Sequence, residues 1–190
     1  LARQYYQMTS MLIKAKVDFN AICDQVLPGM QELMNDHAGR HKLSDFVLRY
    51  HHTTHILEMG ETRFRKDYCK WAEKKGYRNC ERMAAHIFAT AQNGIPVLPN
   101  APSTQIVITE AIRVLHTVEA SRDAILTQMQ ALAKTLPEYS LVREMPCIGD
   151  TLAPRLIAEI GDVRSFHSKG SHRIRRHRCA AVPVRQILRE

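Results

Sequence analysis

The sequence predicts a mainly α-helical protein, and three observations carry that prediction. Apolar residues alternate spacings of three and four in two long runs. One is Tyr5, Met8, Leu12, Ala15, Phe19, Ile22, Val26; the other is Ile108, Ala111, Leu115, Val118, Arg122, Ile125, Met129, Leu132, Leu136. That period keeps one face of a helix against a partner. Composition agrees: 45% of the 190 residues are apolar but only 6% are aromatic, which suits helices better than a sandwich or barrel. Strand signals are sparse.

The elements follow in order. The first heptad helix stops at Pro28-Gly29, and a short helix at 30–35 leads into a polar loop through Gly39. Helical patterns cover 43–58, 61–75 and 80–92, punctuated by Gly60, Gly76 and Gly94. Pro96, Pro99 and Pro102 make 95–102 an extended connector. Ser103 is the expected N-cap of the long second heptad helix, which Pro137 stops. A further pattern at 138–145 breaks at Pro146-Cys147-Ile148-Gly149, resumes at 151–160 and ends at Gly161. This divides the chain into a helical region 1–102, a coiled-coil-like helix 103–137, a segment 138–169 and a tail 170–190. The two heptad helices could pair antiparallel within one chain or form a coiled coil between protomers. Arg122, the charged seam member, is the kind of residue that sets register or oligomer state at a cost in stability.

The net charge is +8, and it is unevenly placed. Residues 163–190 hold eight Lys/Arg and one acid, which leaves nineteen bases and eighteen acids in 1–162. A neutral body with a basic tail points to nucleic acid or an anionic surface. Five cysteines without CxxC spacing read as reduced thiols in a cytoplasm. The opening residues show no apolar h-region, so no signal peptide is expected in them. Residues 83–109 lack Asp, Glu, Lys and Arg, but their prolines and Gly94 exclude a membrane helix. The first residue is Leu rather than Met, which points to a fragment.

Three segments could carry chemistry. Residues 141–161 have the pattern of a helix-hairpin-helix, in which a tight turn offers backbone N–H groups to a nucleic-acid phosphate. Cys147 stands where the first glycine of that motif usually stands. A plain helix–turn–helix packing element fits the same pattern. His51 and His55, one turn apart with His52 between them, could share a metal. The general-base Glu of an HExxH motif is absent, and core-edge histidines are the default. Lys66, Lys70, Lys74, Lys75 and Arg78 alternate with Tyr68, Trp71 and Tyr77. The aromatics could stack on bases, or the bases could form a solvated face with Phe64, Tyr68 and Trp71 turned inward.

The segments YYQMTSMLIKAKVDFNAICDQVLPG, KDYCKWAEKKGY, IPVLP, LPEYSLVREMPCIGDTLAPRLIAEIGDVRSF and HSK together resemble the DEDD transposases of the bacterial insertion-sequence-110 type. The resemblance covers residues 1 to about 169. It implies a RuvC-like domain whose carboxylates hold Mg²⁺, a coiled-coil middle, and a C-terminal domain with a serine in strand chemistry. It also implies a bacterial cytoplasmic protein that acts on DNA as an oligomer, in some members with a guide RNA. This chain lacks the carboxylate domain. Its Gly170–Ile187 stretch, read one base out of register, permits a family-like run with the Ser-Gly, which points to a frameshift near Lys169.

The expectation is therefore a partial transposase without catalytic residues, metal ligands or cofactor of its own. DNA would contact Ile148, Gly149, Thr151 and Lys169. Tyr5, Met8, Leu12, Phe19, Ile22, Leu115, Val118, Arg122, Ile125, Met129 and Leu132 would form a homo-oligomer seam. No membrane partner is expected. The alternative is a non-catalytic DNA-binding or coiled-coil oligomerisation module.

Overall fold

A computed structural model describes residues 1–34, 41–77 and 80–161. All regular structure among the described residues is helical, so the fold is mainly α, as the heptad runs predict. The spine is a pair of long helices, α1 (Ala2–Val26) and α7 (Pro102–Ala133). They run antiparallel within one chain. Leu1 and Ala2 line the same cavity as Met129 and Ala133. At the far end, the Gln25 carbonyl accepts from the Val97 and Leu98 amides at 2.8 and 3.2 Å, just before α7 begins. Leu12, Phe19 and Cys23 of α1 and Ile108, Ile112 and Leu115 of α7 are buried in one core. Burial, with Asp24 adding to it, pushes the Cys23 thiol up to about 12.

Five shorter helices close that core: α2 (Met30–Met34), α3 (Lys42–Tyr50), α4 (Thr53–Met59), α5 (Glu61–Lys75) and α6 (Cys80–Asn93). Their inner faces carry half of the chain's twelve Phe, Tyr and Trp residues. Phe46, Tyr50, Phe64, Tyr68, Trp71 and Phe88 are buried together, with Phe46–Tyr50 and Tyr50–Phe64 centroids 4.7 and 5.2 Å apart. A low aromatic count is therefore concentrated in one place. On the rim, Asp67 of α5 accepts from Arg49 (2.7 Å) and from the Tyr50 hydroxyl (2.9 Å). Burial would raise the Asp67 carboxyl, but those two bonds hold it below its ordinary value. The end of α6 abuts the α1–α2 turn so closely that a Cβ on Gly94 would lie 2.8 Å from Pro28 Cγ.

Three element boundaries differ from the sequence expectation. The pattern at 43–58 is two helices, broken at His51-His52. His51 has φ +52, and His52 caps α4 by accepting the Thr54 amide on Nδ1. Hydrophobic periodicity passes through this break because both helices turn the same face to the core. Ser103 is not the cap of α7. Ala101 holds that place without a side-chain bond and Pro102 opens the helix, since proline is pre-set for the first turn. The same helix ends at Ala133, short of Pro137, in a turn closed by Leu136 N to Ala133 O. Two small helices, α8 (Glu138–Glu144) and α9 (Leu152–Ile160), then fold back on the α7 end. They bury Val142, Ala153 and Ile157 against Ala133 as a separate small cluster.

Where α3 meets α7, the Ser44 hydroxyl donates to the His41 carbonyl and lies 3.0 Å from His116 Nε2. The His41 and His116 rings stack edge-on at 4.6 Å, and Glu119 lies 3.8 Å from His41 Nδ1. Burial and His41 hold His116 below its ordinary 6.5, against the opposing pull of Glu119 and Asp45. Burial and His55 do the same for His51. Folding thus favours the neutral imidazoles. The stability they contribute is present above pH 6.5 and lost as pH falls through the lower folded values. The denaturant midpoint should fall between about pH 7.5 and about pH 5, and His116→Gln should flatten that fall. An equal pH response in the variant would contradict the assignment.

Candidate nucleic-acid interface

The α8–α9 hairpin is built from the turn outward. α8 ends when Met145 becomes extended, as the residue before a proline prefers. After Pro146, Cys147 adopts φ +67. This is the left-handed region that favours glycine, and Cys147 holds the position the motif usually gives to one. Ile148 then turns inward, half-buried against the small cluster. The Gly149 carbonyl accepts from the Leu152 and Ala153 amides at 3.1 and 3.0 Å, which starts α9.

The result is a run of exposed backbone. Cys147, Gly149, Asp150 and Thr151 are all exposed. The amides of Gly149, Asp150 and Thr151 reach no acceptor among the described residues. A Cβ on Gly149 would meet nothing within 4 Å. Three amides beside a helix N-terminus are suited to receive an anion. Asp150 works against this, but Arg143 pairs with its carboxylate at 3.1 Å and also donates to the Ile148 carbonyl. From α7, Gln130 ties the turn down by donating to the Asp150 carbonyl at 3.1 Å.

Of the residues expected at DNA, Gly149 and Thr151 lie on this surface. Ile148 does not: its side chain packs against the small cluster, its amide donates to the Met145 carbonyl at 3.3 Å, and its carbonyl accepts from Arg143. Lys169 and the tail 170–190 lie outside the described residues, as does any product of a frameshift. Thr151 stands at the cap of α9 in helical conformation and makes no capping bond. Sequence reasoning missed Arg155. Its guanidinium covers Tyr5 and Tyr6 at 5.4 and 4.9 Å and bonds the Tyr6 hydroxyl at 3.3 Å, which fastens the hairpin to α1. No local signal could link residues so far apart in the chain.

The seam residues divide. Tyr5, Leu12, Phe19, Leu115 and Met129 are buried, while Met8, Ile22, Val118, Arg122 and Ile125 are half-buried. Leu132 is 56% exposed, and Ala133 takes the inward place instead. The inward stripe of α7 runs through Ile108, Ile112, Leu115 and Glu119, rotated from the expected one because a 3.6-residue helix drifts from a heptad over so many turns. Arg122 bonds Asp123 and lies 4.0 Å from Glu119, so its charge is met inside the chain.

The histidine and aromatic patterns resolve as packing. Buried His52 uses both ring nitrogens, donating through Nε2 to the Leu98 carbonyl at 2.9 Å. His55 donates to the Tyr50 carbonyl. With His51 at a helix break, the one-turn spacing between His51 and His55 is lost. No group of three His, Cys, Asp or Glu among the described residues converges as a metal site. Phe64, Tyr68 and Trp71 point inward and offer no stacking platform. No helix among the described residues is long and apolar enough to cross a membrane.

Fold and site together define a helical bundle whose last two described helices, α8 and α9, are joined by a tight turn with exposed backbone. Comparison with family models, with curated proteins and with solved structures finds no match.

The left-handed Cys147 yields a test of the turn. A non-glycine residue there costs about 1–2 kcal/mol, partly offset by the greater chain entropy glycine loses on folding. Cys147→Gly should stabilise the protein by about 1 kcal/mol and raise Tm by about 2–4 °C. A lower Tm in calorimetry would show that the turn is built differently.

Proposed function

We propose that this chain is a DNA-binding piece of an insertion-sequence-110-type transposase, and that it binds without performing strand chemistry. The observation that carries the reading is the hairpin turn: a left-handed Cys147 followed by three exposed amides with open space above Gly149. The motif resemblance of 141–161 and the likeness of the other segments to that family support it.

In this reading a phosphate oxygen approaches the Gly149–Thr151 amides and accepts their N–H bonds. The positive end of α9 adds to the attraction. Arg143, paired with the Asp150 carboxylate at 3.1 Å, offsets its charge beside the incoming anion. Such contacts fix position on a duplex and carry no sequence information. The site therefore serves as an anchor and does not read the target.

Gly149→Ala separates binding from folding. The methyl group enters open space in the unbound protein, so Tm should hold. In the complex it occupies the path of the phosphate, so affinity for a DNA duplex in fluorescence anisotropy should drop about tenfold, the scale of one hydrogen bond to a charged group. Unchanged affinity would remove the hairpin from the account. Mg²⁺-dependent cleavage or joining of DNA by this chain alone would contradict the non-catalytic half of the proposal.

A further inference from the structure

The outer face of α5 is a second surface, and its chemistry is unlike that of the hairpin. Arg63, Lys66, Lys70 and Lys74 are exposed and follow one another at three, four and four residues. This places them in one stripe along the helix. At about 1.5 Å per residue the stripe is about 16 Å long.

Its bases differ from their neighbours in how they are used. Arg65 pairs with Glu61, Lys75 with Asp45 and Arg49 with Asp67. None of the four stripe bases forms an ion pair with a described residue. Asp67, four residues on from Arg63, is bonded by Arg49 and Tyr50, and Arg63 adds only a charge attraction to it without an ion-pair contact. Glu73 is the one exposed acid at the stripe's edge. Lys66, Lys70 and Lys74 stand one turn apart, a self-repelling arrangement on a helix. Burial of Phe64, Tyr68 and Trp71 fixes the rotation of α5, so the repelling charges are held outward together.

We infer that this face binds the sugar–phosphate backbone of duplex DNA. Charge selects a polyanion: over about 16 Å of axis one DNA strand presents about five phosphates. The absence of exposed aromatics on the stripe selects a duplex over a single strand, which would need bases to stack on. The exposed positions of α5 are all charged or Thr62, so it has no apolar face to enter an anionic bilayer. The inference stands on α5 alone and does not need the hairpin to bind.

The test compares two charge-matched variants of the full chain, so the basic tail is common to both. One is Arg63→Gln, Lys66→Gln, Lys70→Gln, Lys74→Gln. The other removes four exposed bases elsewhere: Arg3→Gln, Lys14→Gln, Lys16→Gln, Lys134→Gln. Affinity for a random-sequence DNA duplex is measured against salt. The stripe variant should lower the magnitude of the log–log slope by about three and weaken low-salt binding at least tenfold. The control should change the slope by less than about one. Equal losses, or none, would overturn the inference. Circular dichroism should show both folded; if the fourfold variant is not, Lys66→Gln with Lys70→Gln should lower the slope by about half as much. Duplex RNA and phosphatidylglycerol vesicles form parallel arms. A loss confined to either would overturn the DNA assignment. Gly149→Ala should weaken binding with the slope nearly unchanged, so the hairpin and the stripe fail separately.

Discussion

The antiparallel contact between α1 and α7 is the constraint on which the rest depends. It joins the two ends of the described chain and supplies the floor on which α2–α6 pack. Each helix is long enough to run past the main core, so their far ends, around Tyr5 and Met129, form a platform for α8 and α9. Burial of Leu12, Phe19, Ile108 and Leu115 is the favourable term. The charged members of α7 are accommodated without breaking it, because Arg122 lies beside Glu119 and Asp123.

Much of the helix content was legible in the sequence, and the reasons are local. Heptad spacing marks α1 and α7; glycines at 60 and 76 end α4 and α5 where left-handed backbone is required. What was not legible is tertiary. The His51-His52 break hides inside continuous periodicity. The inward stripe of α7 is set by which neighbours it meets, so Leu132 and Ala133 exchange the places a strict heptad assigns. Of the hairpin, the motif spacing was readable and Cys147 marked the turn as unusual. That its backbone is left-handed, with Arg143 and Gln130 bracing the loop, required the fold. Arg155 on Tyr5 and Tyr6 joins opposite ends of the sequence and has no local signal at all.

The meaning of the charge changes in the same way. By sequence the excess of bases lies in the tail, and the body looks balanced. In the fold, the body's charges are not mixed evenly. The acids near α5, such as Asp67 and Asp45, are drawn into bonds with Arg49, Tyr50, Tyr77 and Lys75. Arg63, Lys66, Lys70 and Lys74 are left outside those pairs. A nearly neutral body thereby presents a basic stripe, and the proposed DNA contacts divide into a neutral anchor at the hairpin and a charged track on α5.

Both proposed surfaces take their placement from the pairing of α1 with α7 inside one chain, and distances between spin labels test that pairing directly. In a background without the native cysteines, labels at the exposed positions Ser10 and Ala124 should lie close together. Labels at Ser10 and Ser103 should be farther apart by tens of ångströms, since about 31 Å of helix separates the two α7 sites. Both distances should persist when labelled chain is diluted into an excess of unlabelled chain. A reversed order, or loss of the short distance on dilution, would show that the heptad helices pair between protomers or in parallel, and would contradict the account.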